Sequence, residues 1–86
     1  MNELTHLPNI GKNLADLLVR AGINNEQELK DLGSENALIK IAALGNGDAC
    51  LSKLYALEGA VQGIRWHDLD KIRKQELKEF YNLFEK

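Results

Sequence analysis

Apolar positions along the chain recur mostly at three- and four-residue spacing, the period of a helix with one buried face. No stretch alternates residue by residue as a half-buried strand does, and valine and threonine are scarce. The pattern predicts an all-α fold, a compact bundle of about five helices. A short first helix lies around Asn2 to His6, and Pro8 prevents its continuation. The second runs from about Lys12 to Ala21, with Leu14, Leu17, Leu18 and Ala21 as its apolar stripe and Gly22 just past its end. Asn24 then reads as an N-cap, with Gln27 completing a capping-box spacing. That brief helix buries Leu29 and Leu32 and stops at Gly33, after which Ser34 caps a helix striped by Leu38, Ile41 and Ala42.

Gly45-Asn46-Gly47 breaks the chain, and Asp48 is placed to cap the helix from Ala49 to about Gln62. Cys50, Leu51, Leu54, Tyr55, Leu57 and Val61 make that helix apolar over more than half its circumference, which predicts a central position. Gly59 and Gly63, with Ala56 and Ala60, form a small-residue strip. Glycine costs a helix about 1 kcal/mol relative to alanine, so the strip predicts close approach of a neighbouring helix. The last helix spans about Asp70 to Phe84 and buries Leu77, Phe80, Tyr81 and Phe84. The linkers are short, and residues 1–86 read as a single domain.

The segment Leu7-Pro8-Asn9-Ile10-Gly11 between the first two helices has helix-hairpin-helix spacing. Ile10 would plug the core, Gly11 would allow the sharp turn, and Ala15 would keep the helices close. Asn9 replaces the usual first turn glycine, and asparagine tolerates left-handed backbone. In a nucleic-acid-binding version, the amides of Ile10, Gly11 and Asn13 face phosphate oxygens and Lys12 adds charge. The candidate contact is therefore Asn9, Ile10, Gly11, Lys12 and Asn13. A tight structural corner explains the same residues. A second hairpin at Leu44 to Gly47 is the weaker reading, because Asp48 would oppose a phosphate.

Charge bears on that choice. Eleven basic residues against thirteen acidic ones leave −2, so the chain lacks the basic excess of a nonspecific DNA binder. Residues 25–64, with only three lysines against six carboxylates, come to −3, and residues 65–86 come to +1. Lys71, Lys74 and Lys78 share one helical face, with Arg65 and Arg73 nearby, although Glu76 and Glu79 interrupt it.

Catalytic and metal chemistry find little footing. His6 and His67 have no ligand-spaced partners, so no metal or cofactor is expected. Cys50 is expected on the apolar side of the central helix as a core thiol. Glu58 intrudes on that helix's stripe and is expected to reach a loop amide or Arg65. An enzyme would need Glu58 and His67 to converge in a pocket, and none is predicted. One cysteine forms no internal disulfide, no apolar run is long enough to cross a bilayer, and the start carries no basic leader. A cytoplasmic protein without membrane contact is expected.

Two segments together resemble the TfoX C-terminal domain family: the hairpin with its following helix, and Tyr55-Ala56-Leu57-Glu58-Gly59-Ala60 leading to Gly63 and Trp66. The resemblance covers about residues 3 to 78. It implies an all-helical fold, a bacterial and cytoplasmic protein, and a noncatalytic part in transcription regulation linked to competence for DNA uptake. It supplies no catalytic residues, and it does not reach the separate N-terminal domain that precedes this one in the family's regulator. Lys12-Asn13 stand where proline is common, and the last helix is longer than the family core requires. Two functions follow as expectations. One is a regulatory module touching nucleic-acid backbone through the hairpin. The other is a module docking on a transcription-related protein without touching DNA.

Overall fold

A computed structural model describes residues 3–45, 47 and 49–85. A 3-10 turn (Glu3–His6) leads through the hairpin into α1 (Lys12–Arg20), α2 (Glu26–Leu32), α3 (Ser34–Ala42) and α4 (Leu51–Gln62). A second 3-10 turn (Trp66–Asp68) then joins α4 to α5 (Lys71–Glu85). The described residues contain no strand, and the fold is all-α. The expectations for Asn2, Asn46 and Asp48 lie outside the described residues.

Helix α4 is the hub and packs against α2, α3, α5 and the second 3-10 turn. Leu54, Leu57 and Ala60 of α4, Leu38 and Ile41 of α3, Leu18 of α1 and Leu77 of α5 meet in one buried cluster. Leu77 alone is fully buried on α5, while Phe80, Tyr81 and Phe84 pack half-buried at the edge of the cluster. The central helix therefore sits where its broad apolar surface requires.

Several local expectations shift by a residue or two. Helix α2 is capped by Asn25 rather than Asn24. The Asn25 carboxamide accepts from the Glu28 amide at 2.8 Å, and the Glu28 carboxylate accepts from the Asn24 amide at 2.6 Å. This reciprocal pair uses Glu28, so the cap falls one residue later than the spacing from Asn24 to Gln27 predicts. Ser34 does not cap α3 either. Gly33 takes the cap position at φ 86°, and the Ser34 hydroxyl donates to Glu58 at 2.6 Å from a buried position. Helix α4 begins at Leu51, so Cys50 is its half-buried N-cap and not a core thiol.

Glu58 does find a structural partner, but it is Arg73 of α5 and not Arg65. The Arg73 guanidinium donates to the buried Glu58 carboxylate at 3.1 Å, and Gln62 adds a 2.6 Å hydrogen bond. Burial pushes the Glu58 carboxyl up, but hydrogen bonds from Arg73, Ser34 and Gln62 and the Arg73 charge outweigh it and hold the group low. Arg73 also lies 3.5 Å from Glu35 and 3.2 Å from Glu76. Its charge is committed to these carboxylates and is not added to the face that Lys71, Lys74 and Lys78 share.

Candidate nucleic-acid interface

Leu7, Pro8, Asn9 and Ile10 form a tight turn closed by the Ile10 amide donating to the Leu7 carbonyl at 3.3 Å. Proline stands second and Asn9, at φ 68°, stands third. That is the arrangement of a type II turn, whose third position demands positive φ. Ile10, 5 % exposed, then enters the core as the hairpin pattern predicts.

Asn9 does more than tolerate the turn. Helix α4 ends in a Schellman motif: Gly63 is left-handed at φ 77°, with Ile64 N–H on the Gly59 carbonyl and Gly63 N–H on that of Ala60. This end leaves the Ile64 carbonyl and the Trp66 amide facing the hairpin. The Asn9 amide group donates to the Ile64 carbonyl at 2.9 Å and, at 3.4 Å, to that of Ala56. Its oxygen accepts from the Trp66 amide at 3.0 Å. The carboxamide lies directly over Gly59, where a side chain would collide with it. The small-residue strip thus admits one asparagine side chain, not the neighbouring helix expected from sequence.

This geometry divides the five hairpin residues. Asn9 is engaged by α4, and Ile10 is buried with its amide bonded inside the turn, so neither presents its polar groups to a phosphate. Gly11, Lys12 and Asn13 remain exposed. Lys12 and Asn13 open α1, where amides have no intrahelical acceptor and the helix dipole is positive.

A groove of about 550 Å³ runs beside the hairpin, floored by Pro8, Ala56 and the Asn9 edge. Its walls are Ser52, Tyr55, Arg65, Trp66 and His67. The Tyr55 and Trp66 rings are parallel within 8°, with centroids 6.2 Å apart. The His67 ring lies 4.0 Å from that of Trp66, and the Lys74 ammonium stands 5.5 Å from the Trp66 centroid. Among the described residues, no carboxylate lines this groove. On the other side of Asn13, Lys53 and Arg20 border a second depression, in which Asp16 lies 3.7 Å from Arg20. In a chain of net charge −2, Arg65 and Lys74 thus stand at the aromatic groove, and Lys53 borders the second depression. Glu58 does not line the groove that holds His67, so the pair an enzyme would need is not brought together.

Sequence reasoning missed the groove. Arg65-Trp66-His67 is itself a basic and aromatic cluster, the signal that pointed there.

The model of the TfoX C-terminal domain matches residues 1–81. The chain belongs to the TfoX C-terminal domain family. It is 32% identical over 77 residues to the DNA transformation protein TfoX of Haemophilus influenzae, a match covering 90% of this chain and 35% of that protein. The chain thus spans about a third of that relative's length. A Listeria monocytogenes protein described as uncharacterised, solved in a triclinic crystal form, is 54% identical at TM-score 0.91. The match covers 95% of this chain and 92% of that one. A Listeria monocytogenes protein of unknown function, in a tetragonal form, is 53% identical at TM-score 0.87, covering 92% and 96%. The family is that of a competence-related regulator.

Proposed function

We propose that this chain is a noncatalytic regulatory module that contacts nucleic-acid backbone through the exposed part of its hairpin, Gly11 to Asn13, and the adjoining cationic groove. It acts in the cytoplasm, in the control of genes for DNA uptake. The observation that carries the reading is the segregation of charge. Arg65 lines a groove that has no carboxylate among the described residues, beside the hairpin that opens α1, in a chain whose net charge is negative. Backbone amides and cations at such a turn hold phosphates without reading sequence.

The test is the salt dependence of binding to a fluorescently labelled duplex, measured by anisotropy. Each phosphate contacted steepens the fall of log K with log salt by about 0.9. Two to four contacts then give a slope of roughly −2 to −4. Lys12→Glu, at an exposed position, is expected to abolish measurable binding at low salt. Binding indifferent both to salt and to Lys12→Glu overturns the proposal.

One observation favours the second reading, docking on a transcription-related protein. On α5, Ile72 and Leu83 are 71 % and 74 % exposed, and their separation of eleven residues, three helical turns, puts them on one stripe. In that case Ile72→Glu impairs partner binding and Lys12→Glu does not.

A further inference from the structure

We propose that the groove between the hairpin and the second 3-10 turn holds an unpaired nucleobase, so that the chain prefers single-stranded nucleic acid to duplex. This rests on the backbone-contact reading above and names the form of nucleic acid that the site takes. Three features of the groove carry it.

The first is flat aromatic surface. Trp66 is 37 % exposed, and it stacks parallel to Tyr55 with centroids 6.2 Å apart while the His67 ring packs on it at 4.0 Å. Bases stack on such surface, and a base held in a duplex does not offer its face. The second is positive charge. Arg65 lines the groove and Lys74 stands at the Trp66 ring, which suits the phosphates on either side of a stacked base. The third is scale, since about 550 Å³ lies within the range of sites that enclose small organic groups.

The wall also predicts what the site ignores. Asn9 would be the natural reader of a base edge, but its carboxamide is engaged with Ile64 and Trp66. Recognition by stacking and charge alone tolerates any base. The preference is therefore for strandedness and not for sequence.

Trp66 is the only tryptophan, so its fluorescence reports on the groove alone. The chain is titrated at low salt with three oligonucleotides of equal length: a labelled oligothymidine, its abasic counterpart carrying the same phosphates, and a duplex. Anisotropy reads binding and Trp66 emission reads stacking. The expected result is saturable quenching by oligothymidine only, with affinity about tenfold above that of the abasic strand. Trp66→Leu, with helicity and melting checked by circular dichroism, is expected to make the two strands bind alike. Equal binding of all three with unchanged Trp66 emission overturns the base-stacking inference and leaves backbone contact standing. Absence of binding by any of them overturns both.

Discussion

Replacing Gly59 with alanine is expected to destabilise the fold by roughly 2–3 kcal/mol and to lower the melting temperature by about 10–20 °C. Helix propensity alone favours the opposite sign. Alanine is better than glycine inside a helix by about 1 kcal/mol. At this position the new methyl would fall on the Asn9 amide group, 2.8 Å from the Ile64 carbonyl and 3.1 Å from the Trp66 amide. Two of those neighbours are backbone and do not swing away. Either α4 shifts, or Asn9 withdraws and its hydrogen bonds to Ile64 and Trp66 break, at about 1 kcal/mol each. Overpacking and bond loss together exceed the propensity gain. Asn9→Gly keeps the positive φ and loses only the bonds, so it should cost about 1–2 kcal/mol. The double variant should cost less than the sum, because both changes break one contact. Thermal melts followed by circular dichroism decide it. A Gly59→Ala protein melting at or above the parent contradicts the placement of Asn9 over Gly59.

The second large effect belongs to Glu58. Glu58→Ala leaves the Arg73 guanidinium without its most buried partner and the Ser34 hydroxyl without its acceptor, costing about 2–3 kcal/mol. The figure sits below that for a fully buried pair because the Arg73 side chain is 32 % exposed. Its pH dependence has a definite sign. The Glu58 carboxyl titrates lower in the fold than its ordinary 4.5, so its ionised form is favoured by folding. That stability is fully present above about pH 4.5 and is lost as pH falls through the lower folded value. Urea melts between pH 7 and pH 3 on the parent and Glu58→Gln provide the check. The stability gap between the two should be constant above about pH 4.5 and close below it. A gap that persists unchanged into acid contradicts the network.

Much of the architecture was legible because it depends on local periodicity. The α1 stripe, the Ile10 plug and the glycine after α1 each follow from spacing, and all three occur. The errors share a physical origin. Asn24 and Asn25 are adjacent, and both precede polar residues at capping distance, so propensity alone does not choose the register. The Glu28 carboxylate decides it. Ser34 looks like a cap because serine usually is one. It is drawn into the helix by Glu58, twenty-four residues away, which no local rule sees.

The candidate site was half legible for the same reason. The hairpin follows from local pattern, and the exposed Gly11, Lys12 and Asn13 lie where the pattern puts them. Pro8-Asn9 also suits a type II turn, and in the structure the Ile10 amide bonds back to Leu7. The Asn9 carboxamide spans 55 residues to reach Ile64, and that contact brings the hairpin beside Tyr55 and Trp66. The groove is a product of this long-range pairing. Gly59 hinted that something would approach closely, but a missing Cβ does not say what.

The most direct test of nucleic-acid contact is an amide-resolved NMR titration of the chain with short single-stranded and duplex DNA at low and moderate salt. The account predicts shifts centred on Gly11, Lys12, Asn13 and Arg65 to His67 that fade as salt rises. No shift at those positions with roughly millimolar DNA at low salt contradicts it. The hairpin would then be a structural corner, and the exposed stripe of Ile72 and Leu83 would be the surface to pursue.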